Sequence, residues 1–317
     1  MAIQIRFITE TFQAPEYNCS AHTPDEWTEL YGTPHLPLGI FSIAFPTVCQ
    51  ILYIPALRVF YRERKITCYK IMFLLALADV GGLCCFGTLF GYSMIRGMVY
   101  CSSPLLGWTV GTVFWTVSGC NAILLVVNRI CELLESPWIF QVKLQSQIFA
   151  IVKFPEGKPS SLLILVTVFY ALFESLFTRP PVPNSLHQFC AFNVFIPGHS
   201  FDEYPNRPNM IHNICIATCL VVLYTLLCGI VRSKTAQITQ SSNSTASLQA
   251  KIFSQATIVC FLFGAASTVW LVQEFLFTPP PSVLIAGMTG LPCIIYLALN
   301  RAVRDEFWRL VGKLPLK

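Results

Sequence analysis

Charge nearly disappears from this chain in seven long stretches and returns in the gaps between them. The stretches run from Leu38 to Phe60, Cys68 to Ile95, Pro104 to Cys131, Ser160 to Thr178, Met210 to Val231, Ile252 to Phe277 and Ser282 to Asn300. A helix rises about 1.5 Å per residue, so about 20 apolar residues cross a hydrocarbon layer about 30 Å thick. Lipid offers no partners to backbone N–H and C=O groups, so each stretch must satisfy them internally as a helix. Prolines gather in the gaps: Pro180, Pro181 and Pro183 in one, Pro279 to Pro281 in another. The pattern predicts an all-α chain, a seven-transmembrane helix bundle over residues 38–300. It is preceded by a segment 1–37 and followed by a short amphipathic tail, 301–317.

Composition agrees. Hydrophobic residues make up 54% of the 317 and charged residues 12%, against about 25% charged in a soluble domain. Mean hydropathy is +0.60. Too little charge is present to coat a soluble enzyme. The positions of the basic residues give the orientation, because cytoplasmic loops collect Lys and Arg. With the N-terminus outside, only Arg6, Arg96, Arg179 and Arg207 face outward, and the other seventeen of the 21 basic residues face inward. That placement accounts for the net charge of +5 without a nucleic-acid partner. The acidic residues Asp25, Glu26 and Glu29 leave no hydrophobic leader ahead of the first span, which is expected to insert as a reversed anchor.

Asn18-Cys19-Ser20 forms a glycosylation sequon in the external segment, whereas Asn243-Ser244-Thr245 falls in an internal loop. Of fourteen cysteines, eleven lie in or beside spans, where cysteine packs as a small apolar residue. Cys19, Cys101 and Cys190 are the external ones, enough for one bridge. The expected pair is Cys101 with Cys190, and the alternative is Cys19 with Cys101.

Ionisable groups within a bilayer are costly and mark function. Asp79 lies about 16 Å into the second span, while Glu174 and Glu274 sit near the outer ends of the fourth and sixth. The histidines, His22, His35, His187, His199 and His212, are external or at boundaries, and no HExxH, paired-aspartate or G-x-S-x-G motif occurs. The chain is therefore expected to be neither an enzyme nor a cofactor protein. The halves show no internal similarity of the kind that marks many carriers. Gly87-x-x-x-Gly91 and Gly107-x-x-x-Gly111 are small-residue spacings suited to close helix packing.

Several motifs resemble rhodopsin-like receptors. Asn128-Arg129, at the inner end of the third span, stands where those receptors carry Asp/Glu-Arg-Tyr, and Asp79 matches their polar position in the second helix. Pro292 to Tyr296, followed by Asn300-Arg301, is similar to their NPxxY passage, although tyrosine follows proline by four residues rather than three. The sixth stretch, 252–277, has no proline and so departs from their Cys-Trp-x-Pro. A closer resemblance is to nematode serpentine receptors of class T. It is carried by Tyr17 to Ser20, Cys68 to Met72, Asp79, Gly97 to Cys101 and Asn128 to Leu133. It covers about residues 17–135 and 285–307.

That resemblance implies a chemoreceptor in the plasma membrane of sensory cilia, binding a small-molecule ligand and coupled to a heterotrimeric G protein. On the third span Trp108, Thr112 and Trp115 share one face of the outer half. Trp270, Gln273 and Glu274, with Glu174 and His212, fall at a corresponding depth and complete a candidate ligand pocket. Interfacial aromatics also anchor helices. Asp79, Asn128, Arg129, Pro292 and Tyr296 are the expected activation and coupling residues. The internal loop 232–251 carries eight Ser or Thr, a composition suited to a solvated loop. A ligand-gated channel or carrier is the competing class. It should line helix faces with polar residues, whereas Asp79 and Asn121 are nearly alone at depth.

Overall fold

The computed structural model describes residues 10–11, 13–104, 111–135, 158–200, 203–238, 258, 261–269 and 282–312. A short helix, α1 (Pro24–Tyr31), precedes α2 (Leu36–Arg62) and α3 (Thr67–Arg96). Then come α4 (Gly111–Glu135) and α5 (Lys158–Phe177). An antiparallel hairpin, β1 (Val182–Asn184) with β2 (Phe189–Ala191), leads to α6 (Arg207–Ile238). Residues 261–269 form α7, followed by α8 (Ser282–Leu299) and α9 (Arg301–Leu310). Among the described residues, five helices, α2 to α6, are long and apolar enough to cross a membrane. The apolar α8 occupies the seventh expected stretch, and α7 holds all but one of the described residues of the sixth.

Exposure along the helices distinguishes their roles. In α4, 61% of the apolar window is buried, against 22% in α5 and in α6. The central helix is therefore α4, packed against α3, α5 and α6. Outward faces are apolar rather than charged: Phe41, Ile51, Leu165, Phe169, Val221 and Phe261 are all exposed. Such a belt is stable only against hydrocarbon. Inside, Tyr53, Phe60, Ile71, Leu75, Leu125, Leu220 and Tyr296 form the main core.

Gly87 and Gly91 bring α2 and α3 together. A Cβ on Gly87 would lie 2.3 Å from Pro46 Cγ, and one on Gly91 would lie 2.7 Å from the Gly39 carbonyl oxygen. The small-residue spacing thus serves packing within the bundle. Between Cys84 and Leu89 α3 widens into a π-helical segment. This turns Phe90 and Met94 toward Trp115 and Cys190 beyond the widening, while Asp79 faces the bundle centre before it.

One end of the bundle wears a cap that the hydrophobic pattern does not foretell. There α1 opens with a capping box: the Glu26 N–H donates to Thr23 Oγ1, and the Thr23 N–H donates to the Glu26 carboxylate. Tyr17, Trp27, Val99, Tyr100, Val182 and Tyr204 pack into a second core beneath it. The expected Cys101–Cys190 bridge is not formed. Cys101 pairs instead with Cys19, with Cα atoms 5.4 Å apart. The reason is the path of the chain. Trp27 Nε1 donates to the Cys19 carbonyl at 3.0 Å and folds the N-terminal segment over Cys101. Cys190, in β2, faces the apolar cluster of Phe86, Phe90, Met94 and Trp115.

The hairpin is tied on from two sides. The Ser185 N–H donates to the Met98 carbonyl at 3.0 Å, and its Oγ accepts from the Thr33 N–H at 3.1 Å. Arg179 closes the cap with an ion pair to Glu16 at 3.0 Å and a bond to the Glu203 carbonyl. Its guanidinium lies over the rings of Tyr17 and Tyr204.

At the opposite end α9 begins with the Asn300 side chain accepting the Val303 N–H at 3.3 Å. Glu306 lies within 3.8 Å of Arg58 and of Arg62, fastening α9 to α2, while Trp308 and Leu310 remain exposed.

Candidate functional site

Asp79 is the one acid near the middle of an expected span, and four helices converge on it. Tyr53 of α2 donates its hydroxyl to Asp79 Oδ2 at 2.9 Å and lies 3.1 Å from the Thr289 carbonyl of α8. Ser118 of α4 donates to Asp79 Oδ1 at 3.2 Å. Asp79 is 4% exposed, so these bonds replace water that the carboxyl would otherwise require. A cavity of about 20 Å³ lies beside it, walled by Trp115, Ser118, Phe263, Thr289 and Pro292, among others. That is room for about one water molecule.

A second polar cluster joins α4, α5 and α6 nearer the bridged end. Thr116 donates to Glu174 Oε2 at 2.5 Å, and His212 Nδ1 lies 4.0 Å from the same oxygen and 3.2 Å from the Tyr170 hydroxyl. Trp115 Nε1 donates to Asn213 Oδ1 at 2.9 Å, and the Trp115 ring packs on Phe263 with centroids 4.9 Å apart. Glu174 Oε1, His212 Nε2 and Asn213 Nδ2 are buried without a hydrogen-bond partner among the described residues. Asn121, one turn deeper, donates to the Val117 carbonyl and to Thr167 Oγ1.

The candidate pocket residues Trp115, Glu174 and His212 thus stand together, and Thr112 is buried on the same helix as Trp115. Trp108, Trp270, Gln273 and Glu274 lie outside the described residues. Pro292 borders the central cavity, and Tyr296 packs edge-on against Tyr53 and Phe60. At the basic end Asn128 is buried, and Arg129 bonds to Glu132 and contacts Cys68 Sγ. Asn18 is exposed, its Oδ1 accepting the Ser20 N–H at 2.9 Å.

Sequence reasoning passed over Tyr53, Thr116, Ser118, Tyr170 and Asn213. A signal existed for one of them: Tyr170 lies one turn from Glu174, on its face of α5. Single hydroxyls in apolar spans commonly bond back to their own helix, as Thr47 and Ser93 do here. Such residues are indistinguishable by pattern from those that cross to a neighbour.

Apolar helices packed around the buried carboxyls of Asp79 and Glu174 make a polytopic membrane bundle, and comparison with known proteins gives its class. Residues 3–317 match the family model of the serpentine-type 7TM GPCR chemoreceptors Srt. The chain belongs to that family and is a multi-pass membrane protein of the seven-transmembrane serpentine fold. It is similar to serpentine receptor class T-55 of Caenorhabditis elegans. The two are 26% identical over 308 residues, which cover 93% of this chain and 80% of that protein.

Proposed function

We propose that the chain detects an external small molecule and signals through a heterotrimeric G protein. In this reading the N-terminus, the cap and the exposed Asn18 sequon lie outside the cell. The tail from Arg301 and the basic end lie in the cytoplasm, at the plasma membrane of sensory cilia. The observation that carries it is the joint at Asp79, where Tyr53, Ser118 and the Thr289 carbonyl link α2, α4 and α8 to α3. Rearranging one buried carboxyl's partners exchanges one packing of the bundle for another. A ligand that favours either packing shifts the population.

Trp115 joins the two polar clusters, since it borders the Asp79 cavity and bonds Asn213 beside Glu174 and His212. A ligand-induced movement of α6 therefore reaches Asp79 through one side chain. At the other end Arg129 is held by Glu132 and against Cys68, and its release exposes a cation to the G protein.

Coexpression with a promiscuous G protein in cultured cells tests this. The Arg129→Ala variant is expected to lower basal and ligand-evoked signalling at least fivefold while surface delivery stays within about a factor of two. Equal signalling would remove Arg129 from the coupling surface. Ligand-evoked current that persists under G-protein blockade would instead establish the channel class.

A further inference from the structure

The cavity beside Asp79 admits about one water molecule. A chamber in the cap is far larger, about 290 Å³, close to the lower bound for small-molecule pockets. Its walls come from three separated parts of the chain: α1, the turn around Val99 to Cys101, and the hairpin with its following loop. The Cys19–Cys101 bridge, the Ser185–Met98 bond and the Thr28–Ser102 bond brace those parts against one another. The chamber is therefore a built recess rather than a gap between mobile loops.

The floor is aromatic and amide. Trp27, 3% exposed, lines it with Tyr31, and Phe195 and His187 face each other with ring centroids 4.4 Å apart. Phe195 holds a left-handed backbone, φ 57°, a conformation that bulky residues rarely adopt. Asn184 and Asn193 also line the chamber and are 3% and 5% exposed. Each spends its side-chain carbonyl on a turn: Asn184 Oδ1 accepts the His187 N–H at 3.0 Å, and Asn193 Oδ1 accepts the Phe195 N–H at 2.7 Å. Their NH2 groups carry no hydrogen bond among the described residues, which leaves two amide donors in the chamber wall open to a guest.

Among the described residues no Asp, Glu, Lys or Arg lines the chamber. Burial holds the His187 imidazole below its usual pKa and so in the neutral form at neutral pH. His199, on the rim, already holds Glu203 at 2.7 Å. A charged guest would lose its hydration there without gaining a counter-charge.

We propose that the cap chamber is a binding site for a compact, uncharged aromatic molecule that carries a hydrogen-bond acceptor, held between the aromatic floor and the two asparagine amides. The site rests on the receptor reading given above, in which this end of the bundle faces outward. It moves ligand capture from the interior of the bundle to its cap.

Quinoline is a suitable probe, being neutral at pH 7 with one acceptor nitrogen. N-methylquinolinium keeps the shape, adds a positive charge and loses the acceptor. Binding of both is measured by saturation-transfer NMR on the full chain in nanodiscs, with empty nanodiscs subtracted. Saturable quinoline binding is expected, with N-methylquinolinium at least tenfold weaker. Asn193→Asp preserves the oxygen that caps the Phe195 N–H but removes the donor and adds a negative charge. It should weaken quinoline at least tenfold and make N-methylquinolinium the better ligand. Leu186→Trp, at an exposed rim position, should block both probes without touching a folding contact. No saturable quinoline binding to the native chain would overturn the site, as would affinities unchanged in both variants. Quinoline binding is read on the receptor alone, with no G protein present, so a failure of G-protein coupling is separable from a failure of the chamber.

Discussion

The cap and the joint at Asp79 are built on opposite plans. The cap is held redundantly by a covalent bridge, a nested set of aromatic rings and an ion pair from Arg179 to Glu16. Loss of any one non-covalent contact leaves the others in place. The joint depends on one carboxyl whose bonds come from single side chains of different helices. Redundancy suits a receptacle that must keep its shape. Dependence on a few exchangeable bonds suits an element with two stable arrangements.

The bridge offers the strongest test of that contrast. Closing a loop of 82 residues restricts a freely unfolding chain by on the order of 4 kcal/mol. Cys19→Ser and Cys101→Ser should each lower the midpoint of thermal unfolding markedly and reduce surface delivery, while Cys190→Ser stays close to the native protein. The reverse ranking would restore a bridge between Cys101 and Cys190.

A smaller effect is expected at the joint. Tyr53→Phe removes a buried hydroxyl that serves Asp79 and the Thr289 carbonyl. Leaving acceptors unsatisfied costs about 1–3 kcal/mol. Thermal stability in detergent should fall accordingly, and basal signalling should change because the two packings no longer balance as before. Unchanged stability and signalling together would show that the joint carries no bias.

The mildest effect belongs to the rim of the cap. The His199 ring nitrogen, together with the Ser200 N–H, holds the exposed Glu203 carboxyl down to about 2. A depressed carboxylate stabilises the fold above its unfolded value, about 4.3, and loses that contribution as pH falls toward its folded value. Proteolysis of the loop near Glu203 should therefore quicken slightly between pH 4.5 and about 2 and show no step from this group between pH 5 and 7. The Glu203→Gln variant should abolish the acid step.

The bundle was legible because lipid imposes one rule on every span, and a run of apolar residues obeys it or fails. Helices α2, α3, α5 and α8 begin and end within a few residues of the stretches read from hydropathy alone. Asp79 was legible for the same reason, as a charge where none is tolerated without purpose. Its partners were not, because a tyrosine or serine in a span carries no mark of what it faces. The cap lay beyond the rule. Thr23-Pro24-Asp25-Glu26 does carry a readable helix start, with proline at the first turn and a capping box. The hairpin turns at Gln188 with φ 60° in a stretch without glycine, which conceals it. Which cysteines pair depends on the folded path of the segments that form the cap, and that path is set by contacts such as Trp27 to Cys19.

The order of Cys19, Cys101 and Cys190 along the chain also matters while it is being made. Cys19 and Cys101 are both synthesised before Cys190 exists. Ribosomes add about 5–20 residues per second, so the 89 residues from Cys101 to Cys190 (190 − 101) take about 4–18 s. In the orientation proposed above, with the N-terminus translocated, the two partners share the oxidising lumen during that interval, and thiol oxidation proceeds on a scale of seconds upward. The native pairing is thereby favoured by chronology: the competing thiol arrives after the choice can already have been made.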